Sequence, residues 1–155
     1  MSRPRYEDDF HAWLLDQAHV LREMASAGYN GPLDPANLAE EVEDLGNEQR
    51  HACESWIEQI IAHLLKLEYA KSREDRAHWE TEIVAFRSDL QRKMTRTIER
   101  AVRGKLEQLY RTGRRLAESR LRDADPDLGS RLPASCPYTY EEITADDWYP
   151  PSPAE

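Results

Sequence analysis

Residues 34–69 read DPANLAEEVEDLGNEQRHACESWIEQIIAHLLKLEY, and this stretch decides the fold. Asp34 supplies an N-cap acceptor directly before Pro35, and proline suits the first position of a helix. Apolar side chains then recur at spacings of three and four, the pattern of one buried helix face. They are Leu38, Val42, Leu45, Ala52, Trp56, Ile60, Leu64 and Leu67. The pattern predicts one helix over residues 35–69, on which the rest of the chain packs. Gly46 inside it predicts either a kink or the close approach of another backbone.

The composition is typical of a small helical protein with thin apolar stripes and wide solvated faces. Of the 155 residues, 39% are hydrophobic and 33% are charged. No apolar run approaches the roughly 20 residues that a membrane-spanning helix needs, and the N-terminus lacks an apolar signal region. Cys53 and Cys136 do not have the spacing of a zinc site or a disulfide framework. We expect one domain over residues 1–149, a frayed tail over residues 150–155, and a cytoplasmic location.

Capping residues and glycines predict three further helices. Helix one covers residues 6–26 and is ended by Gly28. Helix three begins at a capping box that starts at Ser72. The threonines of residues 94–97 favour a break, because threonine is a weak helix former, and helix four follows over residues 98–122.

The composition changes after Asp123, where six of the nine prolines lie. Thr139 and Glu142 form a second capping-box pattern, which predicts a short helical turn over residues 139–144. The aromatic residues of this region indicate that it packs on the helices instead of remaining disordered. The predicted fold class is all-α, a mainly antiparallel bundle of about four helices with a C-terminal wrap-around segment.

The net charge of −9 conceals two regions of opposite sign. Residues 87–122 contain 12 Lys and Arg against four Asp and Glu, whereas the rest of the chain has nine basic and 26 acidic residues. We interpret the basic segment as packing beside acids of the same molecule. A nucleic-acid surface is the disfavoured alternative, because the net charge would repel a phosphate backbone.

Helix two carries five acids in one short stretch, and they cover the side away from its apolar residues. The simpler interpretation is a solvated face, and the alternative is a docking surface for basic side chains of this chain or of a partner. The candidate interaction surface comprises Glu40, Glu41, Glu43, Asp44 and Glu48 with Arg111, Arg114 and Arg115 of the basic segment.

His63 and Gln49 are the polar residues inside the apolar stripe of helix two. A buried polar group needs a hydrogen-bond partner, so we predict that His63 is structural and bonds to a tail carbonyl or a tyrosine. The alternative is a general base or a ligand at a small pocket, which would make the protein a small enzyme or a metal-binding protein. No nucleophile motif, phosphate-binding glycine loop or CxxC motif accompanies His63. We therefore predict no catalytic residue, no cofactor and no metal site.

Four stretches of the chain together carry a resemblance to a known family: YEDDFHAW (6–13), LAEEVEDLG (38–46), HLLK (63–66) and CPYTYEEI (136–143). In these residues and in their order, the chain resembles the bacterial domain-of-unknown-function family twenty-nine. The resemblance implies an all-helical fold and carries no assigned activity and no catalytic or ligand residues. We therefore expect a non-enzymatic protein–protein interaction module, whose partner is an unknown protein or a second copy of the chain in a homo-oligomer.

Overall fold

The computed structural model of the chain describes residues 2–152, which form seven α-helices and no β-strand. The helices are α1 (Phe10–Ser26), α2 (Pro35–Tyr69), α3 (Arg76–Lys93), α4 (Arg96–Gly104), α5 (Leu106–Arg120), α6 (Leu128–Arg131) and α7 (Tyr140–Thr144). The all-α fold class is therefore confirmed. In the described part of the chain, no helix is both long enough and apolar enough to cross a membrane.

The described residues group into two compact units by their contacts. Unit 1 contains the chain up to Ala52 together with Met94–Ala101, and unit 2 contains Cys53–Lys93 together with the chain from Val102 onward. The first half of α2 belongs to unit 1 and its second half to unit 2. The single domain and the antiparallel arrangement stay predictions.

The predicted bounds of α2 are confirmed at both ends. Asp34 caps the helix, because its carboxylate accepts hydrogen bonds from the backbone N–H of Asn37 at 3.3 Å and from its side-chain amide at 2.7 Å. Every residue from Ile60 to Leu67 is buried. A helix that is buried around its whole circumference is a core helix, so this half of α2 is the centre of unit 2.

The predicted apolar stripe is wrong for the first half of α2. Leu38 and Leu45 are 40% and 47% exposed, whereas Ala39 and Gly46 are buried. A Cβ on Gly46 would lie 3.7 Å from the side chain of Leu14, so side chains of α1 occupy the space beside this glycine. The small residues let α1 pack on their side of α2, which lies about 100° around the helix from the leucines.

Helix α1 begins at Phe10 and not at residue 6 as predicted, because Asp9 is its N-cap. The Asp9 carboxylate accepts a hydrogen bond from the backbone N–H of Ala12 at 2.9 Å. It also accepts from the backbone N–H and the hydroxyl of Thr97, at 3.0 and 2.7 Å. Burial raises the pKa of Asp9, but these bonds outweigh burial and lower the pKa overall. One carboxylate thus caps α1 and ties it to the start of α4 inside unit 1.

The predicted helix break within residues 94–97 is confirmed. Helix α3 ends at Lys93 and α4 begins at Arg96. The Thr95 hydroxyl accepts a hydrogen bond from the backbone N–H of Ile98 at 3.2 Å, as a capping residue does. The break therefore follows from the preference of threonine for helix caps.

Residues 98–122 do not form the single helix that was predicted. Helix α4 ends at Gly104, and α5 begins at Leu106. Glycine is about 1 kcal/mol less favourable than alanine inside a helix, which allows the chain to break there. Lys105, between the two helices, places its Nζ 3.1 Å from the carboxylate of Glu54 in unit 2.

The two predicted capping boxes have different outcomes. The box predicted at Ser72 is not formed, since its hydroxyl accepts from the N–H of Glu74 at 3.4 Å and α3 begins only at Arg76. The second box is present: the Thr139 hydroxyl accepts from the N–H of Glu142 at 3.1 Å, and the Glu142 carboxylate accepts from the N–H of Thr139 at 2.9 Å. Helix α7 follows it as predicted, whereas α6 was not predicted.

The C-terminal segment is held in unit 2 by the buried guanidinium of Arg87 on α3. Its Nε donates to the carbonyl of Ile143 at 2.9 Å, and its Nη2 donates to the carbonyls of Glu142 at 3.0 Å and Trp148 at 2.9 Å. The ring of Tyr149 lies 5.3 Å from the guanidinium carbon. Because two of these carbonyls belong to the last turn of α7, Arg87 also caps that helix.

Other contacts extend along the same segment of unit 2. The hydroxyl of Tyr138 donates to the carboxylate of Glu68 on α2 at 2.6 Å, and the hydroxyl of Tyr110 on α5 donates to the carbonyl of Pro133. Pro150, in the tail predicted to be frayed, is buried. Residues 153–155 of that tail lie outside the described residues.

Candidate functional site

His63 is buried as predicted, and its two ring nitrogens have different partners. Its Nδ1 lies 2.8 Å from the carbonyl oxygen of Gln59, one turn earlier in α2. Because a carbonyl oxygen only accepts, Nδ1 is the donor of this bond. Its Nε2 is hydrogen-bonded to the carboxylate of Glu82 on α3. The partners are therefore α2 itself and α3, and not the tail carbonyl or tyrosine that was predicted.

A hydrogen bond between Nε2 and the carboxylate needs a donor, so a proton that binds the His63–Glu82 pair lies between these two groups. Burial and the charge of Lys66 lower the pKa of His63, and its bonds to Gln59 and Glu82 do not fully offset them. Burial raises the pKa of Glu82, but the hydrogen bond from His63 and the charges around the carboxylate lower it overall. The pair therefore holds its shared proton less tightly than a histidine in water does.

Lys66 is the second buried polar group of this region, with 4% of the residue exposed. Its ammonium lies 5.0 Å from the centre of the Trp79 ring and makes no hydrogen bond or ion pair within residues 2–152. Burial lowers the pKa of Lys66 from 10.5 to about 8, and the charge of Arg120 adds to this effect. Glu82 and Asp75 act in the opposite direction without cancelling it.

These side chains line a pocket of about 270 Å³ in unit 2. Arg120 of α5 lies at its exposed side and donates to the side-chain oxygen of Gln59 at 2.7 Å. The Nε2 of His78 lies 3.2 Å from the second carboxylate oxygen of Glu82. Both oxygens of Glu82 are thus bonded to histidines, while Lys66 and Arg120 face the pocket with donors to spare. In the part of the chain that is described, no three His, Cys, Asp or Glu residues are grouped to hold a metal ion.

The acids predicted as an interaction surface lie on the first half of α2, in unit 1. Glu43 is half-buried and pairs with Arg22 of α1. The other four are exposed and form no ion pair with any described residue: Glu40, Glu41, Asp44 and Glu48. Their charges are therefore available at the surface.

Two exposed leucines lie beside these acids. Leu38, Glu41, Leu45 and Glu48 follow one another at spacings of three, four and three, so they share one face of α2. All four are exposed. We call this set the leucine–acid stripe. It combines apolar area with negative charge on one continuous helix surface.

The three predicted arginines have different environments in α5. Arg111 and Arg115 are exposed. Arg114 is engaged inside unit 2, since it donates to the carbonyls of Gly129 at 2.8 Å and Pro133 at 3.0 Å. The predicted pairing of the basic segment with the acids of α2 stays a prediction.

The predicted polar pair of His63 and Gln49 is divided between the two units. Gln49 is half-buried in unit 1, whereas His63 belongs to unit 2. Sequence reasoning missed Lys66, Glu82 and Arg120 as neighbours of His63. The one available signal was Lys66, which with His63 interrupts the apolar run of residues 60–67, where an unpaired charge is costly.

Comparisons with known proteins identify the fold. The family model described as "Domain of unknown function DUF29" matches residues 5–149. The chain is also similar to a crystallised alpha-helical protein of unknown function from Rhodospirillum rubrum, with 24% sequence identity and a TM-score of 0.75. That likeness covers 95% of this chain and 93% of the other, and at this identity it shows the fold alone. No protein with curated function matches the chain.

Proposed function

We propose that the chain, which belongs to the DUF29 family, is a non-enzymatic interaction module whose leucine–acid stripe binds a basic amphipathic helix of a partner protein. One observation carries the proposal: Leu38 and Leu45 are 40% and 47% exposed beside acids that have no internal partner. Both units have apolar cores of their own, so these leucines are not needed to complete the core of unit 1.

The chemistry of the stripe selects the kind of partner. Burying an exposed leucine side chain fully is worth about 1.5–3 kcal/mol, so two leucines supply a useful part of a binding energy. Glu41 and Glu48 attract lysine and arginine, and they would steer a basic partner and reject an acidic one. The spacing of three and four matches one face of a second helix, as in helix-in-groove recognition.

A pair of synthetic helical peptides tests the proposal by fluorescence anisotropy. One peptide carries leucines on one face and lysines on its flanks, and the other replaces each lysine with glutamate. We expect the basic peptide to bind the protein and the acidic peptide not to bind. The double variant Leu38→Gln/Leu45→Gln should weaken binding about tenfold or more, since about 1.4 kcal/mol is one factor of ten. The control Val84→Gln changes a 54% exposed residue of α3 and should bind as the wild type does.

Three results would overturn the proposal. Equal binding by the wild type and the double variant, or no binding of the basic peptide, would remove the stripe as its site. Light scattering across a range of concentrations supplies the other test. A dimer that dissociates in the double variant would make a second copy of this chain the occupant in place of a partner protein.

The cytoplasmic location is part of this proposal. It is supported by Cys53 and Cys136, which are both free thiols, as is usual in a reducing compartment. Nucleic-acid binding remains the less favoured function, because Arg87, Arg103 and Arg114 of the basic segment already have partners within unit 2.

A further inference from the structure

The pocket beside His63 contains a cation that has no partner within the described fold. Lys66 is almost completely buried, and its ammonium lies over the face of Trp79 with no hydrogen bond or ion pair to any described residue. The other buried cation of unit 2, Arg87, donates to three carbonyls. Burying a charge is costly, and the charges of Glu82 and Asp75 do not cancel that cost for Lys66. Packing within unit 2 therefore does not explain why a lysine occupies this position.

We propose that this pocket binds a small oxyanion, a phosphate or a carboxylate group, held by Lys66 and Arg120. The volume of about 270 Å³ is many times the roughly 10–15 Å³ that a cavity needs to hold one water, so a group of this size fits. Lys66 offers three N–H donors, and Arg120 uses one of its five for Gln59. Charge-assisted hydrogen bonds of this kind are the strongest that a protein makes to such groups.

The charges around Lys66 favour an anion over a cation. His63 from α2 and His78 from α3 are both bonded to Glu82, which leaves that carboxylate less able to bind a cation. Asp75, from the segment before α3, and Arg120, from α5, also act on Lys66. The two pocket groups that have N–H donors to spare, the Lys66 ammonium and the Arg120 guanidinium, are both positive.

An occupied pocket has a distinct pH dependence. Burial lowers the pKa of Lys66 to about 8, and a bound anion would favour its charged form and raise that pKa. Affinity should therefore fall as the pH rises from about 7 to about 9.5, where free Lys66 is mostly neutral. Phosphate itself gains negative charge over this range, so titration of the ligand cannot produce the loss.

Calorimetric titration with inorganic phosphate and with malonate, at matched ionic strength, tests the proposal and separates its two ligand chemistries. We expect saturable binding of at least one of them. Lys66→Met and Arg120→Gln should each weaken binding about tenfold or more, as expected for the loss of a charge-assisted bond. The matched control is Arg111→Gln, which removes an exposed arginine from the same helix and should bind as the wild type does.

If a variant loses binding, its melting temperature shows whether the site or the whole fold has been lost. Without any added anion, Lys66→Met should melt at a higher temperature than the wild type, because the buried charge is gone and the side-chain volume is similar. A variant that melts higher and no longer binds has lost a site while its fold is intact. The proposal is overturned if neither anion binds the wild type, or if Lys66→Met and Arg120→Gln bind as tightly as Arg111→Gln. This site lies in unit 2, so its failure would leave the leucine–acid stripe of unit 1 untouched.

Discussion

Replacing Arg87 with methionine should release the C-terminal segment from unit 2. Methionine has a similar length and no donor, so the change removes the hydrogen bonds while largely filling the space. Arg87 is 2% exposed, and its three bonds reach Glu142, Ile143 and Trp148. After the substitution, three carbonyl groups that are now bonded lose their donor.

The structure gives the size of the effect. Three hydrogen bonds at about 1–1.5 kcal/mol each contribute about 3–4.5 kcal/mol, and the contact with Tyr149 adds about 0.5–1 kcal/mol. Burial lowers the pKa of Arg87, and its Nη1 has no partner among the described residues, so removing the charge recovers about 1–2 kcal/mol. We expect Arg87→Met to lower the free energy of unfolding by about 1.5–4.5 kcal/mol.

Urea unfolding and limited proteolysis measure the two parts of this prediction. The loss of stability should appear in the unfolding midpoint, and the segment after Leu132 should be cleaved faster than in the wild type. Arg92→Met is the matched control, because Arg92 is an exposed residue of the same helix with a 3.7 Å ion pair to Asp89. That variant should change stability by less than about 0.5 kcal/mol. If Arg87→Met matches Arg92→Met in both measurements, the reasoning is refuted.

Three further predictions concern packing and pH. Gly113→Ala should destabilise the protein by about 1–3 kcal/mol, because its Cβ would lie 2.8 Å from Ile61, whereas Gly46→Ala should be neutral or stabilise by up to about 1 kcal/mol. Equal melting temperatures for the two variants would contradict this. His63→Ala should lower the free energy of unfolding by about 1–3 kcal/mol, because it leaves a cavity and removes the bonds to Gln59 and Glu82. An unchanged melting temperature together with altered ligand binding would instead show a functional role for His63. Burial lowers the pKa of both His11 and His63, so the unfolded state binds more protons and stability should fall as the pH drops below about 6.5. In the double variant His11→Asn/His63→Asn, the free energy of unfolding should no longer fall over this pH range. If unfolding titrations show the same pH dependence as in the wild type, these histidines are not its source.

The sequence predicted those helix ends that depend on contacts between residues a few positions apart in the chain. The start of α2 depends on Asp34 and on its bond to Asn37, three residues away, and α7 depends on the bonds between Thr139 and Glu142. Each of these contacts joins residues that are neighbours in the chain, so a short pattern contains the complete cause. The break at Gly104 was missed because the apolar rhythm continues through it, and only the low helix propensity of glycine indicated it.

The apolar periodicity did not predict correctly which face of a helix is buried. Periodicity marks leucines as the apolar face of α2, but in unit 1 the small residues Ala39 and Gly46 admit α1 and leave Leu38 and Leu45 exposed. The pocket depends on neighbours of His63 from α3 and α5, at positions that carry no common motif. Their proximity is a property of tertiary packing, which a single sequence does not reveal.

Lys66 and Arg87 show that burial alone does not distinguish a structural cation from a ligand-binding cation. The distinction is whether the fold supplies hydrogen-bond acceptors for the charge. Both side chains are almost completely buried in unit 2, and burial lowers the pKa of each. The carbonyls at the end of α7 satisfy Arg87, so its charge fixes the position of the C-terminal segment. Lys66 has an aromatic face and a pocket in place of such acceptors. If position 66 served only to fill the core, methionine would fill it equally well. Because the described residues supply acceptors for Arg87 and none for Lys66, we expect Arg87→Met to lower stability and Lys66→Met to raise it.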